Sequence, residues 1–152
     1  MVLAGKISTE VGVRASADKF FHLFSKKLHD VQNHCERVHE TILHEGDDWH
    51  VSDSVKQWTY VIDGKVHTCK ESVEEIDEEN KKLTFKLFGG DIDEHYKIFK
   101  LIIEVIDKAD GSASVKWTIE YEKIHEDYDP PNGYMDYFAK CTKDMDAHLV
   151  NA

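Results

Sequence analysis

Histidine is the residue type that most invites a chemical interpretation of this sequence. The chain contains ten histidines, and six of them lie between His22 and His50. His34, His39 and His44 follow one another at intervals of five residues. That interval places successive side chains on opposite faces of a strand, and it misses the i,i+4 spacing that brings two ligands together on a helix. Because the chain also lacks a His-Glu-x-x-His motif, we expect its histidines to lie apart and to form no metal centre.

Signatures of nucleophilic or phosphate chemistry are weak. The chain has no Gly-x-Ser-x-Gly motif, and the segment 44–50 combines one glycine with three carboxylates that would repel a phosphate. Cys141 lies on an apolar helical stripe, where a thiol usually acts as a small hydrophobic side chain. Glu71 lies among strand residues: facing inward it would be an acid or base with a raised pKa, and facing outward a solvated carboxylate beside Lys70.

Aromatic residues form the strongest pattern. Ten of them fall on the inward faces of the predicted elements: Phe20, Phe24, Trp58, Tyr60, Phe85, Phe99, Trp117, Tyr134, Tyr137 and Phe138. A well-packed core would explain this pattern. The functional alternative is an apolar ligand cavity with a few phenol and indole hydrogen-bonding groups, and the sequence pattern does not separate a packed interior from a hollow one.

Composition limits the class of protein. The 152 residues correspond to one domain, spanning 1–152, and 41% hydrophobic with 32% charged residues is typical of a globular chain. Acidic residues exceed basic ones by 30 to 19, giving a formal charge of −11. This charge disfavours binding to nucleic acids or to anionic membranes, because both require a basic surface.

The expected location is cytoplasmic. The residues 1–6 lack the basic and long apolar regions of a secretion signal, and no uncharged apolar run approaches the 18 residues of a membrane span. Cys35, Cys69 and Cys141 are odd in number and widely spaced, so we expect reduced thiols. We expect no membrane insertion.

The first half of the chain predicts a strand, two short helices, a second strand over 38–44 and a hairpin. Alternation over 3–13 predicts the opening strand, and Ser16 is the expected N-cap of a short helix over 17–24. A second short helix is expected around 28–34. Asp63-Gly64 then fits a type I′ turn between two strands.

The second half predicts three further strands and a long helix. Apolar and polar residues alternate over 82–87, 99–105 and 115–122, which indicates an antiparallel sheet with one buried face. After Pro130-Pro131, apolar residues recur at three- and four-residue steps from Tyr134 to Leu149. The predicted fold class is α+β, with one sheet covered by the long helix.

Several segments carry a family resemblance that covers essentially the whole chain in order. They are Tyr60-Val-Ile-Asp-Gly-Lys65, Glu74-Glu-Ile-Asp-Glu-Glu-Asn-Lys81, Gly90-Asp91 with Tyr96-Lys97, Val115-Lys-Trp-Thr-Ile-Glu-Tyr-Glu-Lys123 and Thr142-Lys-Asp-Met-Asp-Ala-His-Leu149. The sequence resembles the plant major latex proteins, a branch of the birch-pollen-allergen-like family related to pathogenesis-related class-ten proteins.

This resemblance implies a START-like helix-grip fold. A curved seven-stranded antiparallel sheet would wrap the long C-terminal helix, with two short helices and a large internal apolar cavity. By position in the family, the ligand-binding wall would comprise Phe24, Leu28, Lys56, Trp58, Tyr60, Glu71, Leu83, Phe85, Leu87, Leu101, Ile103, Tyr134, Tyr137, Phe138 and Cys141.

The resemblance also implies a function. We expect a non-enzymatic binding or carrier protein for a hydrophobic or amphipathic small molecule, such as a steroid, phytohormone or other secondary metabolite, associated with defence or stress. The alternative is a condensing or isomerising enzyme that uses acid, lysine and tyrosine groups of the cavity. A ribonuclease is disfavoured by the charge of −11. We expect no cofactor, and a monomer or weak dimer.

Overall fold

One antiparallel sheet organises the chain. The computed structural model describes residues 3–46, 48 and 54–150, so Asp47, Trp49 and His50 of the predicted loop at 46–50 lie outside the described residues. The strands are β1 (Ala4–Val13), β2 (Val38–Glu45), β3 (Val55–Ile62), β4 (Lys65–Asp77), β5 (Lys82–Phe88), β6 (Tyr96–Asp107) and β7 (Ala113–Lys123). The helices are α1 (Ala17–Lys26), a 3-10 helix (Leu28–Asn33), α2 (Gly90–His95) and α3 (Gly133–Val150).

The strand order is β1-β7-β6-β5-β4-β3-β2, and each neighbouring pair is antiparallel. The two strands nearest the N-terminus therefore lie at opposite edges of the sheet. The chain crosses from one edge to the other through α1 and the 3-10 helix, while β2 to β7 follow one another as a meander. The predicted seven-stranded α+β architecture is confirmed.

Local signals in the sequence determine where elements begin and turn. The Ser16 side chain accepts a hydrogen bond from the Lys19 N–H at 3.4 Å and so caps α1 as predicted. Asp63 and Gly64 adopt positive φ angles of 52° and 78° between β3 and β4, as a type I′ turn requires. Along β3, buried and half-buried residues alternate strictly, so one face of the sheet is directed to the core.

The short helix α2 was not predicted. It has six residues, of which Ile92 alone is buried, so no helical period is visible in the sequence. Its position depends on Gly90, whose φ is 52° and where an added Cβ would lie 2.2 Å from the Thr68 carbonyl oxygen. The Asp91 carboxylate accepts a hydrogen bond from the Thr68 N–H at 2.8 Å and ties α2 to β4.

Polar contacts fix α3 against the sheet. The buried Asp146 carboxylate accepts hydrogen bonds from the Arg14 N–H at 3.1 Å and the Ala15 N–H at 2.9 Å, in the turn between β1 and α1. In the middle of the helix, the Trp117 indole N–H donates to the Thr142 hydroxyl at 2.8 Å. These bonds set both the position of α3 along the sheet and its rotation.

In the part of the chain that the structure describes, no helix is a candidate for spanning a membrane. None of the helices in that part is both long enough and apolar enough to cross a bilayer.

Removing the Asp146 carboxylate should strongly destabilise the fold. In Asp146→Ala the N–H groups of Arg14 and Ala15 lose their acceptor in a buried region, at about 1–3 kcal/mol each. We expect the free energy of unfolding to fall by about 2–4 kcal/mol, measured by urea titration. Asp136→Ala is the matched control, since Asp136 on the same helix forms an exposed ion pair with Arg37 and should contribute little. Equal stability losses in the two variants would contradict the proposed role of Asp146.

Candidate ligand-binding cavity

A cavity of about 70 Å³ lies between the inner face of the sheet, α3, α1 and the 3-10 helix. It is lined by Phe24, Leu28, Val31, Val38, Trp58, Tyr60, Cys69, Glu71, Phe85, Leu87, Leu101, Ile103, Trp117, Tyr134, Tyr137, Phe138, Cys141 and Met145. The resemblance implied a large cavity, and this one is smaller: it has room for a few water molecules and not for a steroid.

Thirteen of the fifteen predicted wall residues line the cavity. The two exceptions are Leu83 and Lys56, which are fully buried but do not line it. Leu83 shares the inward face of β5 with Phe85, and its ladder partners are Ile103, which lines the cavity, and Ile76, which does not. An inward-facing position therefore predicts burial, and it does not by itself predict that a residue reaches the cavity.

Five wall residues were not among the predicted site residues. They are Val31, Val38, Cys69, Trp117 and Met145. A signal for three of them was present in the sequence. Cys69 lies two residues before Glu71 on β4 and so shares its face, Trp117 was expected to face inward, and Met145 follows Cys141 by one turn of α3. Val31 lies in the 3-10 helix, where no regular period predicts a face. Val38 begins β2, whose alternation is interrupted by a register shift between Val38 and Glu40.

Aromatic rings reduce the cavity volume. The Trp117 and Phe138 rings stack at a centroid distance of 4.5 Å and an interplanar angle of 8°. The Tyr60 ring lies 5.4 Å from Tyr137, and its hydroxyl is hydrogen-bonded to that of Tyr134. Burial raises the pKa of both Tyr60 and Tyr134, so these phenols are neutral hydrogen-bonding groups.

Glu71 is the charged residue on this wall. It is 6% exposed, which settles the sequence alternatives in favour of an inward side chain. The Trp58 indole N–H donates to its Oε1 at 3.2 Å, and Lys56 faces it as its partner in the β3–β4 ladder. Burial raises the pKa of Glu71 to about 7, although Lys56 and the Trp58 hydrogen bond both act to lower it. Glu71 therefore changes its charge near neutral pH.

Lys56 lies behind this wall. Its side chain is fully buried, and its Nζ donates to the Ser54 hydroxyl at 3.3 Å. Burial lowers the pKa of Lys56, while the negative charges of Glu71 and Asp48 oppose that shift. The lysine thus acts on the cavity through the charge of Glu71, and does not itself line the space.

The three cysteines are free and buried, and two of them lie near one another. The Cys35 thiol donates to the carbonyl oxygen of Cys141 at 3.7 Å. Burial raises the pKa of Cys69, which keeps its thiol protonated and unreactive.

One histidine prediction is wrong. The spacing of the histidines within 22–50 predicts side chains that lie apart. The rings of His34 and His148 instead stack at a centroid distance of 3.4 Å, because the C-terminal turn of α3 packs beside the 3-10 helix. A contact between residues 114 positions apart leaves no trace in local spacing.

Comparison with known proteins identifies relatives over the full length of the chain. The family model of the pathogenesis-related protein Bet v 1 family matches residues 2–152. MLP-like protein 43 of Arabidopsis thaliana is 38% identical over 150 residues, which cover 97% of this chain and 94% of the relative.

Solved structures agree with this relationship. The crystal structure of major latex-like protein 151 from Panax ginseng superposes with a TM-score of 0.90 at 34% identity, covering 97% of this chain and 98% of that one. A norcoclaurine synthase of Thalictrum shares the fold, with a TM-score of 0.78 at 18% identity and coverage of 99% and 97%.

The raised pKa of Glu71 predicts a pH-dependent stability. The folded chain binds this proton up to about pH 7, whereas an unfolded glutamate loses it near 4.5. The free energy of unfolding should therefore fall as pH rises between those values, by up to about 3 kcal/mol. Glu71→Gln removes this decline, so the variant should match the wild type near pH 4.5 and exceed it in stability at pH 8.

Urea titrations from pH 4.5 to pH 8 measure this difference. Glu75→Gln, on the exposed side of β4, is the matched control and should keep the wild-type pH dependence. If the stability difference between Glu71→Gln and the wild type is constant across this range, Glu71 does not titrate as a buried acid.

Proposed function

The chain belongs to the pathogenesis-related Bet v 1 family, and from this membership we propose that it binds a hydrophobic or amphipathic small molecule in the cavity beneath α3. The observation that supports this proposal is the wall itself. It is formed by aliphatic, aromatic and sulfur-containing side chains, with one carboxylate, that of Glu71. Such a wall favours burial of apolar ligand surface, at about 25 cal/mol per Å², with a polar group to orient the ligand.

The position of Glu71 indicates the chemistry of the ligand. Its Oε1 already accepts the Trp58 N–H, and a carboxylate has further lone pairs for a second donor. We therefore expect a ligand whose apolar body carries a hydroxyl or amine. Steroids, phytohormones and other plant secondary metabolites include compounds of this kind, and a role in defence or stress responses would follow from such binding.

Entry of such a ligand requires the wall to move. A cavity of about 70 Å³ is too small for these molecules, so bound and free states must differ in the side chains that fill it. The rings of Tyr60, Tyr137 and Phe138 lie in the space between sheet and helix. We expect these side chains to change conformation when a ligand enters. Binding would thus replace ring-to-ring contacts by ring-to-ligand contacts of similar area.

An enzyme is the second candidate, and the pKa of Glu71 is what favours it. A carboxylic acid that titrates near pH 7 in an apolar cavity is suited to general acid–base catalysis. Condensation or isomerisation would require at least one further ionisable group on the wall. Among the described residues Glu71 is the sole carboxylate or amine that lines the cavity, which favours binding over catalysis.

We further propose a cytoplasmic protein that acts as a monomer or weak dimer. The formal charge of −11 supports the monomeric or weakly dimeric state, because like charges keep copies of the chain apart. The same charge argues against nucleic-acid partners.

Filling the cavity should abolish ligand binding. Ile103 lines the cavity and Ile102 points to the opposite face of β6, so Ile103→Trp and Ile102→Trp form a matched pair. We expect Ile103→Trp to weaken binding of anilinonaphthalene sulfonate at least tenfold, and Ile102→Trp to leave it within about twofold. The measurement is a fluorescence titration, followed by displacement of the dye with sterols and flavonoids.

Overpacking costs about 1–3 kcal/mol, so melting curves must show that both variants are folded. As a complement, Tyr137→Ala enlarges the cavity and should tighten binding of the bulkier ligands. Dye binding that is saturable but equal in all three variants would place the ligand outside this cavity and overturn the proposed site.

A further inference from the structure

A second cluster of functional side chains lies outside the cavity, where the 3-10 helix meets the end of α3. Asp30 belongs to that helix, His34 follows it directly, and His148 is in the last turn of α3. The His34 Nε2 lies 3.2 Å from the Asp30 Oδ2. One ligand atom from each of the three residues lies within 4.8 Å of the others, and none of the three side chains lines the cavity.

The backbone that carries these side chains is held on both sides. The Glu36 N–H donates to the Asp144 carboxylate at 3.1 Å, which joins the segment after His34 to α3 one turn before His148. Two residues before His148, the Asp146 carboxylate accepts a hydrogen bond from the Ala15 N–H. The cluster is therefore positioned by contacts that do not depend on its own members.

The Asp30 carboxylate is also oriented for ligation to a metal. The Asn33 side-chain amide donates to the Asp30 Oδ1 at 2.8 Å, which directs the Oδ2 toward the histidines. A hydrogen-bonded, deprotonated carboxylate is typical of the residues that support metal sites.

The distances between the three ligand atoms suit a single small ion. Metal–nitrogen and metal–oxygen bonds to Zn²⁺ are about 2.0–2.2 Å long, so two ligand atoms on one ion lie at most about 4.4 Å apart. The three atoms here fall within 4.8 Å of one another. Imidazole lone pairs lie in the ring plane, and the rings of His34 and His148 stack at an interplanar angle of 13°, so both rings must turn out of the stack to direct a nitrogen at one ion. The site is therefore completed when the metal binds. Two imidazoles and a carboxylate are the donors that Zn²⁺, Co²⁺, Ni²⁺ and Cu²⁺ accept, whereas Mg²⁺ and Ca²⁺ prefer oxygen ligands.

We propose that Asp30, His34 and His148 bind one divalent transition-metal ion, Zn²⁺ in the first instance, and so join the 3-10 helix to the C-terminal turn of α3. The site is three-coordinate from the protein and open to water on its remaining side. The spacing of the histidines within 22–50 predicts no such site, because His148 lies far outside that segment. The proposal is independent of ligand binding in the cavity.

The test uses the full-length, tag-free chain after dialysis against a chelator. Zn²⁺ is titrated calorimetrically and against a chromophoric chelator, and we expect one saturable site per chain. His34→Ala and His148→Ala should each weaken binding at least tenfold, and Asp30→Asn should weaken it severalfold. His125→Ala is the matched control, because His125 pairs with Asp127 at 3.3 Å at an exposed position outside the cluster, and its affinity should stay within twofold.

Two further measurements separate ligation from a structural effect of the substitutions. Bound Co²⁺ should show visible absorption bands in the wild type that are absent in His148→Ala, and the ring protons of His34 and His148 should shift together on Zn²⁺ addition. Melting curves without metal show whether each variant is folded. A hundredfold excess of Mg²⁺ over Zn²⁺ should not displace the bound Zn²⁺.

Two results would overturn the proposal. One is the absence of saturable Zn²⁺ binding at one ion per chain. The other is Zn²⁺ binding that is unchanged in folded His34→Ala and His148→Ala proteins. Either would show that the stacked imidazoles and Asp30 form a metal-free contact, in which a hydrogen bond and ring packing hold the 3-10 helix to α3.

Discussion

The hydrogen bonds that the Asp146 carboxylate accepts from Arg14 and Ala15 fix the long helix over the sheet, and the remaining structure depends on that placement. The inner face of the sheet and the apolar face of α3 are both too hydrophobic to remain in water, but apolar burial is not directional. A buried carboxylate with backbone donors is directional, since it is satisfied in one position only. It therefore selects one of many helix placements that would bury similar area.

The cavity results from this placement. The polar contacts of Asp146 and Thr142 hold the C-terminal half of α3, and aromatic side chains of its N-terminal half occupy the space between helix and sheet. Phe138 reaches Trp117 by stacking, and Tyr134 reaches Tyr60 by a hydroxyl contact. A wall of large flat rings is adaptable, since a ring can turn without moving the backbone. The buried Glu71 adds the contrasting element, a fixed polar group in an apolar space whose charge depends on pH.

Sequence reasoning predicted the regular elements well, because their signals are local. The alternation along β7 and the stripe of α3 identify which residues face inward. The wall residues were inferred from position in the resembled family, and thirteen of those fifteen residues line the cavity. The size of the cavity was not predictable, because volume depends on how rings from different elements pack together. Contacts between distant residues were missed for the same reason. The carboxylate of Asp146 and the pairing of His34 with His148 join segments that no local period relates.

The order of strands has a consequence for how the protein is made. β1 pairs with β7, so that Ala4 lies opposite Glu122, while β2 to β7 pair with their neighbours in sequence. During synthesis β1 leaves the ribosome about a hundred residues before its partner strand β7 does. Contacts of such separation slow folding, because a long loop must close before they form. The strands of the meander close much shorter loops, so the pairing of β1 with β7 and the contact of Asp146 with the turn after β1 carry the largest entropic cost of loop closure in the fold.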